Sequence, residues 1–367
     1  MKVLMIEDNI STIQGLIDAV SDRGWEHRVA SFQTAEEKIY TFDPDVVVMD
    51  WMFDEEEAEN GRPILERIVA NEFRPVIVFS AHDLGIVLAD ILKKHSLIDF
   101  TRKGDDDSKL AEKIDEWMDS ALALSRMRHS MNEALIESAK VLDAFQKMAA
   151  FPSPEIVSFM LSRRTIQYFE QSEVGDQPPT WIQYVYPPIM NNLIVADVIR
   201  VHSEDTDQSQ PGIPSEYWVV LTPSCDLANS ATDTFKVLVG HCCDKGRFTE
   251  QKLADGQSID SNRGKDKVER VVKELQYGYN KANVAFPQLP NVLPFMTLNL
   301  KDLDFVLLSE IAPAFETFDK TKHRYYRVAS VASPFREQIV WAHMINSCRP
   351  GMPVRDTNDW AKGILTP

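Results

Sequence analysis

The chain has 367 residues, of which 44% are hydrophobic and 26% are charged, an ordinary composition for a globular protein of two or possibly three domains. No apolar run reaches the roughly 18 residues that a membrane-spanning helix needs, and the early acidic residues of MKVLMIEDN are unlike a signal peptide. Four cysteines at irregular spacing provide no disulfide framework, so the sequence predicts a cytoplasmic protein.

The formal net charge of −17 is concentrated in the first third of the chain. Residues 1–120 contain 13 Lys and Arg against 27 Asp and Glu, whereas the remaining residues contain 26 against 29. Tight binding to DNA of any sequence depends on Lys and Arg that neutralise phosphates. The acidic balance therefore disfavours that function, although it leaves room for a local basic patch in the second half.

Short β-branched runs alternate with amphipathic stretches over the first 120 residues. The predicted strands are Val3–Ile6, Val29–Ser31, Val46–Met49, Val76–Phe79 and Ile98–Phe100, and the predicted helices lie near 11–22, 34–41, 61–71, 84–95 and 106–120. Because the strands are largely continuous apolar runs, both faces of their sheet must be covered. The pattern predicts a doubly wound, five-stranded parallel sheet whose ligands bind beyond the carboxyl ends of the strands.

Polar side chains follow four of these strands at the edge where ligands are expected. They are Glu7, Asp8, Asp50, Ser80 and Lys103. Three crowded carboxylates repel one another and raise each other's pKa values unless a cation is bound. Hard oxygen ligands in a small acidic cleft suit Mg²⁺, which shares its shell with phosphate oxygens. One carboxylate can then attack a phosphoryl group while the lysine and the hydroxyl hold the transferred oxygens.

The segments MKVLMIEDN, VVVMD, VIVFSAH and DFTRKG together resemble the receiver (CheY-like) domain of two-component response regulators, over residues 1 to about 120. The resemblance implies that Asp50 is the phosphoacceptor. It also implies that Glu7 and Asp8 bind Mg²⁺, together with Asp50 itself and the backbone carbonyl of Met52. The phosphoryl donor would be a sensor histidine kinase or a phosphotransfer protein.

The same resemblance assigns roles to three further residues. Ser80 would hydrogen-bond the phosphoryl group, and Lys103 would pair with its charge. Phe100 matches the aromatic switch of the family, whose ring turns inward as the serine closes on a phosphoryl oxygen. The switch is expected to change the helix 4–strand 5 face of the domain.

The sequence departs from the family pattern in two loops. After Asp50 the loop WMFDEEEAENG is longer and more acidic than usual and lacks the usual proline. Its acidic run, Asp54, Glu55, Glu56 and Glu57, either extends the metal site or forms a solvated charge run. Gly104 follows Lys103 where the family has a cis-linked proline, and this puts the coupling of phosphorylation to the output face in doubt.

Residues 110–148 contain few helix breakers and carry a seven-residue repeat. Its positions are Leu110, Trp117, Leu124, Met131, Ser138 and Phe145, with a second set at Met127, Ala134, Val141 and Met148. A seam of about four heptads is typical of paired helices, so we expect a linking helix over 110–150 that joins two copies in a homodimer. The alternative is a helix whose apolar stripe packs on its own second domain.

The remaining residues, 151–367, predict an α+β domain with a mostly antiparallel sheet. Helices near 154–171 and 334–347 bracket strands at 181–186, 193–201, 216–222, 234–242, 304–309 and 324–330. No helix-turn-helix motif is present, so a DNA-binding output domain is not supported. The Lys- and Arg-rich stretch 261–274 is mixed with acids, so it is either a solvated helix face or a nucleic-acid contact.

Cys225 and Asp226 end a predicted strand in EYWVVLTPSCDLAN, and His241 lies at the end of the next strand. These residues are a candidate metal or catalytic site, although they lack the CxxC spacing of a zinc site. Alternatively, a small buried cysteine ends the strand and Asp226 caps the turn. The strand order around 193–242 resembles the small barrels of MazF/PemK-like proteins, which include endoribonucleases, but Ala196 stands where that family has glycine.

The sequence thus predicts a response regulator that is phosphorylated on Asp50 and signals through an atypical output domain, by altered assembly or altered protein contacts. The alternative is a phosphorylation-controlled enzyme, for example a nuclease, with its chemistry in the C-terminal domain. No motif beyond the phosphotransfer site identifies such an activity.

Overall fold

The structure is a computed structural model, and it describes residues 1–51, 61–71, 73–81, 84, 88–103, 107–142, 153–170, 178–189, 191–203, 210–230, 234–245, 253, 256, 258–276, 282–347 and 357–365. The chain divides into two compact units, Met1–Glu173 and Val174–Pro367. Several residues singled out above lie outside the described ranges: Met52, the acidic run at 54–57, Gly104, Phe145 and Met148. Within those ranges, no helix combines the length and apolar character needed to cross a bilayer.

A five-stranded parallel sheet forms the middle of the first unit. Its strands are β1 Lys2–Ile6, β2 Glu26–Ala30, β3 Val46–Met49, β4 Val76–Ser80 and β5 Ile98–Arg102, in the order β2-β1-β3-β4-β5. The helices of this unit are α1 Gln14–Asp22, α2 Ala35–Phe42, α3 Gly61–Asn71, α4 Ala89–Leu92, α5 Asp107–Ala139 and α6 Pro154–Glu170. Every strand pair is parallel. The predicted doubly wound, CheY-like fold class is confirmed.

Both faces of the sheet are covered, as the continuous apolar strands require. Successive residues of β3 point to opposite faces, so Val47 packs in one core cluster with Leu65 of α3. Val48 packs in the other cluster with Leu16 of α1 and Ile114 of α5. The interiors of β1, β3 and β4 are apolar, so the polar side chains of these three strands lie at the strand ends.

Helix α5 packs on two different parts of the first unit. Its first half belongs to the sheet core through Leu110, Ile114 and Trp117. Its second half packs against α6, where the Ser138 and Thr165 hydroxyl oxygens lie 3.0 Å apart. Helix α6 lies in the first compact unit, and the predicted start of the output domain at residue 151 stays a prediction.

The predicted seven-residue seam is consequently divided between different partners. Leu110 and Trp117 are buried against the sheet, and Ala134 and Ser138 are also buried. Met131 remains exposed. The apolar residues of the first two heptads thus pack on the sheet of their own chain. An apolar repeat predicts a buried stripe, but it does not specify which element covers that stripe.

The second unit is built on an eight-stranded sheet. Its strands are β6 Tyr184–Val185, β7 Asp197–Val201, β8 Tyr217–Val220, β9 Lys236–Cys243, β10 Asn283–Phe286, β11 Met296–Leu307, β12 Ile311–Ala312 and β13 Tyr325–Val331. The order is β10-β11-β9-β8-β7-β13-β12, and β6 also pairs with β13. All pairs are antiparallel except β12 with β13. The predicted mostly antiparallel sheet is confirmed.

The helices of the second unit are α7 Ser224–Asn229, α8 Asn262–Gln276, α9 Phe335–Ser347 and α10 Thr357–Leu365. Sequence reasoning missed β10, β12 and the first part of β11. The middle of β11 is exposed over 301–305, and its pairing with β9 shifts register between Leu298 and Leu303. This irregularity interrupts the apolar alternation that marks a strand in sequence.

Candidate functional site

Four polar residues are brought together by the ends of adjacent parallel strands. Glu7 follows β1, Asp50 follows β3, Ser80 ends β4 and Lys103 follows β5. The Asp50 N–H donates to the Ile6 carbonyl at 2.9 Å, and the Lys103 N–H donates to the Ser80 carbonyl at 2.8 Å. These backbone bonds hold the four residues at the carboxyl edge of the sheet, where ligands bind in this class of fold.

The Lys103 ammonium bridges the two buried carboxylates. Its Nζ lies 2.5 Å from Glu7 Oε2 and 2.9 Å from Asp50 Oδ2. Each carboxylate also accepts a backbone hydrogen bond: the Asn9 N–H donates to Glu7 Oε1 at 3.0 Å, and the Trp51 N–H donates to Asp50 Oδ1 at 2.8 Å. Both carboxylates are thereby fixed in orientation, with a cation between them.

The charged form of Asp50 is disfavoured in the folded protein. Burial raises the pKa of Asp50 above its usual value, and the neighbouring charge of Glu7 adds to this effect, although Lys103 opposes it. For Lys103, burial acts to lower the pKa, but the hydrogen bonds and charges of Glu7 and Asp50 outweigh it and raise the pKa. The lysine therefore stays charged, and the site favours additional positive charge.

Asp50→Asn is expected to raise the melting temperature at neutral pH by a few degrees. Because folding raises the pKa of Asp50, the folded chain binds this proton more tightly than the unfolded chain does. The resulting stabilisation is present at low pH and is lost as the pH rises from the ordinary to the raised pKa. Asparagine stays neutral and does not lose this stabilisation. Unfolding curves should therefore show a higher melting temperature for Asp50→Asn than for the unsubstituted protein only above this pH interval.

Asp43 provides a control within the same unit, because folding lowers its pKa whereas folding raises the pKa of Asp50. Burial acts to raise its pKa, but Arg74 Nη2 at 2.9 Å and Arg128 Nη2 at 3.3 Å outweigh burial and lower it. Its φ of 47° is tolerated by asparagine. Asp43→Asn should therefore lose stability at neutral pH and recover toward acid. The same pH response from both variants would contradict this account.

The remaining predicted residues surround this centre at different depths. The Ser80 hydroxyl is buried and donates to the Trp51 carbonyl at 3.2 Å. Asp8 is exposed, and its Oδ1 accepts a long hydrogen bond from the Phe32 N–H at 3.4 Å. Phe100, the predicted switch residue, is half-buried against the sheet core. Asp8 is thus accessible to a hydrated cation, and Ser80 already has a hydrogen-bond partner beside Asp50.

Trp51 also belongs to the site, although the sequence analysis did not predict a role for it. Its side chain is almost completely buried beside Asp50, and its indole Nε1 has no hydrogen-bond partner among the described residues. A Cβ atom on Gly61 would lie 2.7 Å from Trp51 Cε3, so only glycine leaves room for the ring. The sequence feature that could have indicated this role is the position of the tryptophan directly after the VVVMD segment. Its position makes indole fluorescence a reporter of events at Asp50.

The oxygen ligands of the site fit Mg²⁺. Among the described residues, no three His, Cys, Asp or Glu side chains are arranged to hold a metal ion by themselves. Mg²⁺ does not need such a cage, because it retains several waters and uses one or two carboxylates together with substrate phosphate oxygens. Glu7 and Asp50 already contact one cationic group, and Asp8 directly follows Glu7 in the sequence. Mg²⁺ binding itself stays a prediction.

The three candidates in the second unit have separate surroundings. Cys225 and Asp226 lie in α7, and Cys225 is exposed rather than buried, with its thiol donating to Asp226 Oδ1 at 3.4 Å. His241 on β9 stacks on Trp218 with ring centroids 4.2 Å apart, and its Nδ1 lies 3.8 Å from Asp302 Oδ2. In the described ranges no hydrogen bond joins His241 to the other two residues. A catalytic or metal role for them stays a prediction.

No family model matches the chain, and no curated protein matches it. Solved structures of response regulator receiver domains match the N-terminal third. A signal receiver domain of a putative Luxo repressor protein from Vibrio parahaemolyticus is 19% identical, with 33% of this chain and 92% of that chain covered and a TM-score of 0.30. A CheY-like receiver domain protein from Methanospirillum hungatei is 14% identical, covering 33% and 96%, with a TM-score of 0.29. The beryllofluoride-activated receiver domain of RstA from Klebsiella pneumoniae is 16% identical, covering 31% and 95%, with a TM-score of 0.27.

Proposed function

We propose that this chain is a cytoplasmic response regulator of a two-component system, phosphorylated on Asp50 by a sensor histidine kinase or a phosphotransfer protein. The observation that carries the proposal is the Lys103 ammonium held between Asp50 and Glu7 at the carboxyl edge of a five-stranded parallel sheet. Burial raises the pKa of Asp50, and perturbed pKa values of this kind cluster where a site is arranged for chemistry.

Each residue of the site has a separate role in phosphoryl transfer. A carboxylate oxygen of Asp50 attacks phosphorus, the bond from phosphorus to the donor breaks, and its electron pair leaves with the donor. The Lys103 ammonium leaves Asp50 Oδ2 and pairs with the negatively charged oxygens of the transferred phosphoryl group. Mg²⁺ bound by Glu7 and Asp8 would supply further positive charge. The attack requires the ionised carboxylate of Asp50, and Lys103 opposes the rise in the pKa of Asp50 that burial causes.

Ser80 and Phe100 couple this chemistry to the surface. The Ser80 hydroxyl, which donates to the Trp51 carbonyl, turns to a phosphoryl oxygen once Asp50 is modified. The space that it leaves lies next to Phe100 on the neighbouring strand, since Val78 pairs with Phe100 and Ser80 pairs with Arg102. The half-buried Phe100 ring then turns inward and changes the face formed by α4 and β5.

We further propose that the output is a change in assembly through the hairpin of α5 and α6. These helices enclose an open groove lined mainly by apolar side chains, including Met131, Leu135, Val157 and Ile166. Leu135 is 52% exposed, and an apolar groove of this kind is typical of an interface. A second copy presents the same groove, so a two-fold dimer would cover both at once.

Labelling with acetyl phosphate and Mg²⁺ tests the phosphotransfer function. The full-length protein should gain the mass of one phosphoryl group, and peptide mapping should place that group on Asp50. Beryllofluoride, a mimic of the phosphoryl group, should change the fluorescence that Trp51 contributes, measured against Trp51→Phe. A protein that neither takes up the phosphoryl group nor responds to beryllofluoride would contradict the proposal.

A further inference from the structure

Strand β11 is longer than its neighbour β10, which pairs only with residues 296–299 of β11. The Leu300 N–H then donates to the Ala282 carbonyl at 2.7 Å. Beyond Leu300, no strand of the described residues pairs with this side of β11, although the other side pairs with β9 as far as Leu307. Residues 301–307, the β11 edge, are therefore an edge strand of the sheet.

The backbone of the β11 edge directs alternate residues to β9 and away from it. Pairing with β9 is continuous from Leu303 to Leu307, and the next N–H, that of Leu308, donates to the Phe235 carbonyl at 2.9 Å. Consecutive residues of an antiparallel strand point their N–H and C=O groups to opposite sides. Since Leu308 faces β9, the backbone groups of Leu303, Phe305 and Leu307 face outward.

One outward donor is satisfied by its own neighbour in the chain. The Phe305 N–H donates to Asp304 Oδ1 at 2.7 Å. The side-chain oxygen occupies the position that a carbonyl of an adjacent strand would take. An added strand can replace this bond and release the carboxylate for another partner.

The side chains of the β11 edge alternate between apolar and acidic. Leu303 and Phe305 lie on one face of the strand and are 38% and 60% exposed. Asp304 lies on the opposite face, and the Asp302 carboxylate on that side is 3.8 Å from His241 Nδ1. All five residues from 301 to 305 are exposed. A strand added here would meet apolar side chains at alternate positions and carboxylates between them.

Charge distinguishes between the strands that could pair with this edge. One lysine and two aspartates give residues 301–305 a net charge of −1. Two copies of the edge paired with each other would bring Asp302 and Asp304 close to the same aspartates of the copy, and like charges across a strand pair are destabilising. A strand with Lys or Arg beside the aspartates avoids this repulsion and gains ion pairs.

We propose that the β11 edge binds an extended segment of a partner protein in which basic and apolar residues alternate. The segment adds to the sheet as an antiparallel strand. Its apolar residues lie opposite Leu303, Phe305 and Leu307 and form backbone hydrogen bonds with them, while its basic residues lie beside Asp302 and Asp304.

Fluorescence anisotropy of a labelled heptapeptide, Lys-Val-Lys-Val-Lys-Val-Lys, tests this assignment on the full-length protein. The peptide should bind, and added salt should weaken binding because the ion pairs are exposed. The heptapeptide with glutamate in place of every lysine should bind at least about tenfold more weakly. Asp304→Asn should weaken binding of the lysine peptide about threefold, since it removes one exposed ion pair but keeps an acceptor for the Phe305 N–H.

N-methylated peptides examine the backbone pairing without any change to the protein. In the proposed register, the valine N–H groups face β11 and the lysine N–H groups face away from it. Methylation of the three valine nitrogens should weaken binding at least about tenfold, because the outward carbonyls of β11 lose their donors. Methylation of three lysine nitrogens is the matched control, and it should leave the affinity nearly unchanged.

Substitutions at Phe305 examine the same pairing from the side of the protein. Phe305→Pro removes an outward N–H without removing a hydrogen bond to β9, and it should weaken binding at least about tenfold. Phe305→Ala keeps the N–H and loses only the ring, so binding should weaken about threefold. Phe315→Ala is the control that should bind normally, because Phe315 is a 47% exposed aromatic outside β11.

Three results would overturn the assignment. One is the absence of lysine-peptide binding at millimolar concentration. Another is equal weakening by the two N-methylation patterns, which would show that the peptide does not add as a strand. The third is a molecular mass that rises with protein concentration in the unsubstituted protein but not in Phe305→Pro, which would show that a second copy occupies the edge. Because Phe305 is exposed, its variants should remain folded, which melting curves would verify.

Discussion

Asp50→Asn should accept no phosphoryl group under conditions in which the unsubstituted protein is labelled by acetyl phosphate. Asparagine keeps the size of the side chain and its contact with the Trp51 N–H, but its neutral amide lacks the nucleophilic oxygen charge. The measurement is the intact mass after incubation with acetyl phosphate and Mg²⁺. Asp99→Asn, which alters a half-buried carboxylate of β5 paired with Lys113, is the control that should label normally.

A second variant, Lys103→Met, examines the electrostatic part of the same prediction. Removing one preorganised cationic donor should slow labelling by about 100-fold. The loss of this ammonium also leaves Glu7 beside Asp50 without a cation, so the pKa of Asp50 should rise further and the rate should increase only at higher pH. Undiminished labelling of Asp50→Asn, with the phosphoryl group on another residue, would show that Asp50 is not the acceptor.

Replacing Met131 and Leu135 together with glutamate should leave the protein monomeric whether or not Asp50 is modified. Both side chains line the apolar groove of the α5–α6 hairpin and are exposed, so the change should not disturb the folded subunit. Two acidic side chains facing their copies across a two-fold interface would repel and would lose the apolar contact, weakening association by at least about 100-fold. Light scattering measures the effect directly.

The unsubstituted protein should show an increase in mass with Mg²⁺ and beryllofluoride, and Asp50→Ala should not show it. Tyr40→Glu is the matched control, since Tyr40 is an 80% exposed aromatic on α2, away from the groove. It should retain the increase. A dimer that persists with glutamate at positions 131 and 135, or a protein that stays monomeric with beryllofluoride bound, would contradict the proposed interface.

The sequence by itself determined the five-stranded sheet and the residues of the candidate phosphoacceptor site. Both follow from local rules: apolar runs bounded by turn residues mark parallel strands, and polar residues just after them must meet at one edge. Asp50 and Lys103 are 53 positions apart in the chain, and the structure places Lys103 Nζ 2.9 Å from Asp50 Oδ2 at the edge that this rule predicts. Trp51 was missed because its place after the VVVMD segment shows that a tryptophan follows Asp50, but not that its ring packs against Gly61.

Only the tertiary structure decided what covers each apolar surface. The repeat along α5 predicted a seam, but Trp117 turned out to pack on the sheet and Ser138 to lie against Thr165 of α6. A cavity of the second unit lined by Tyr186, Asn291 and Phe315 was also invisible in sequence, since none of these residues belongs to a motif. Periodicity reports which face of an element avoids water, whereas the partner of that face is set by long-range packing that depends on the whole chain.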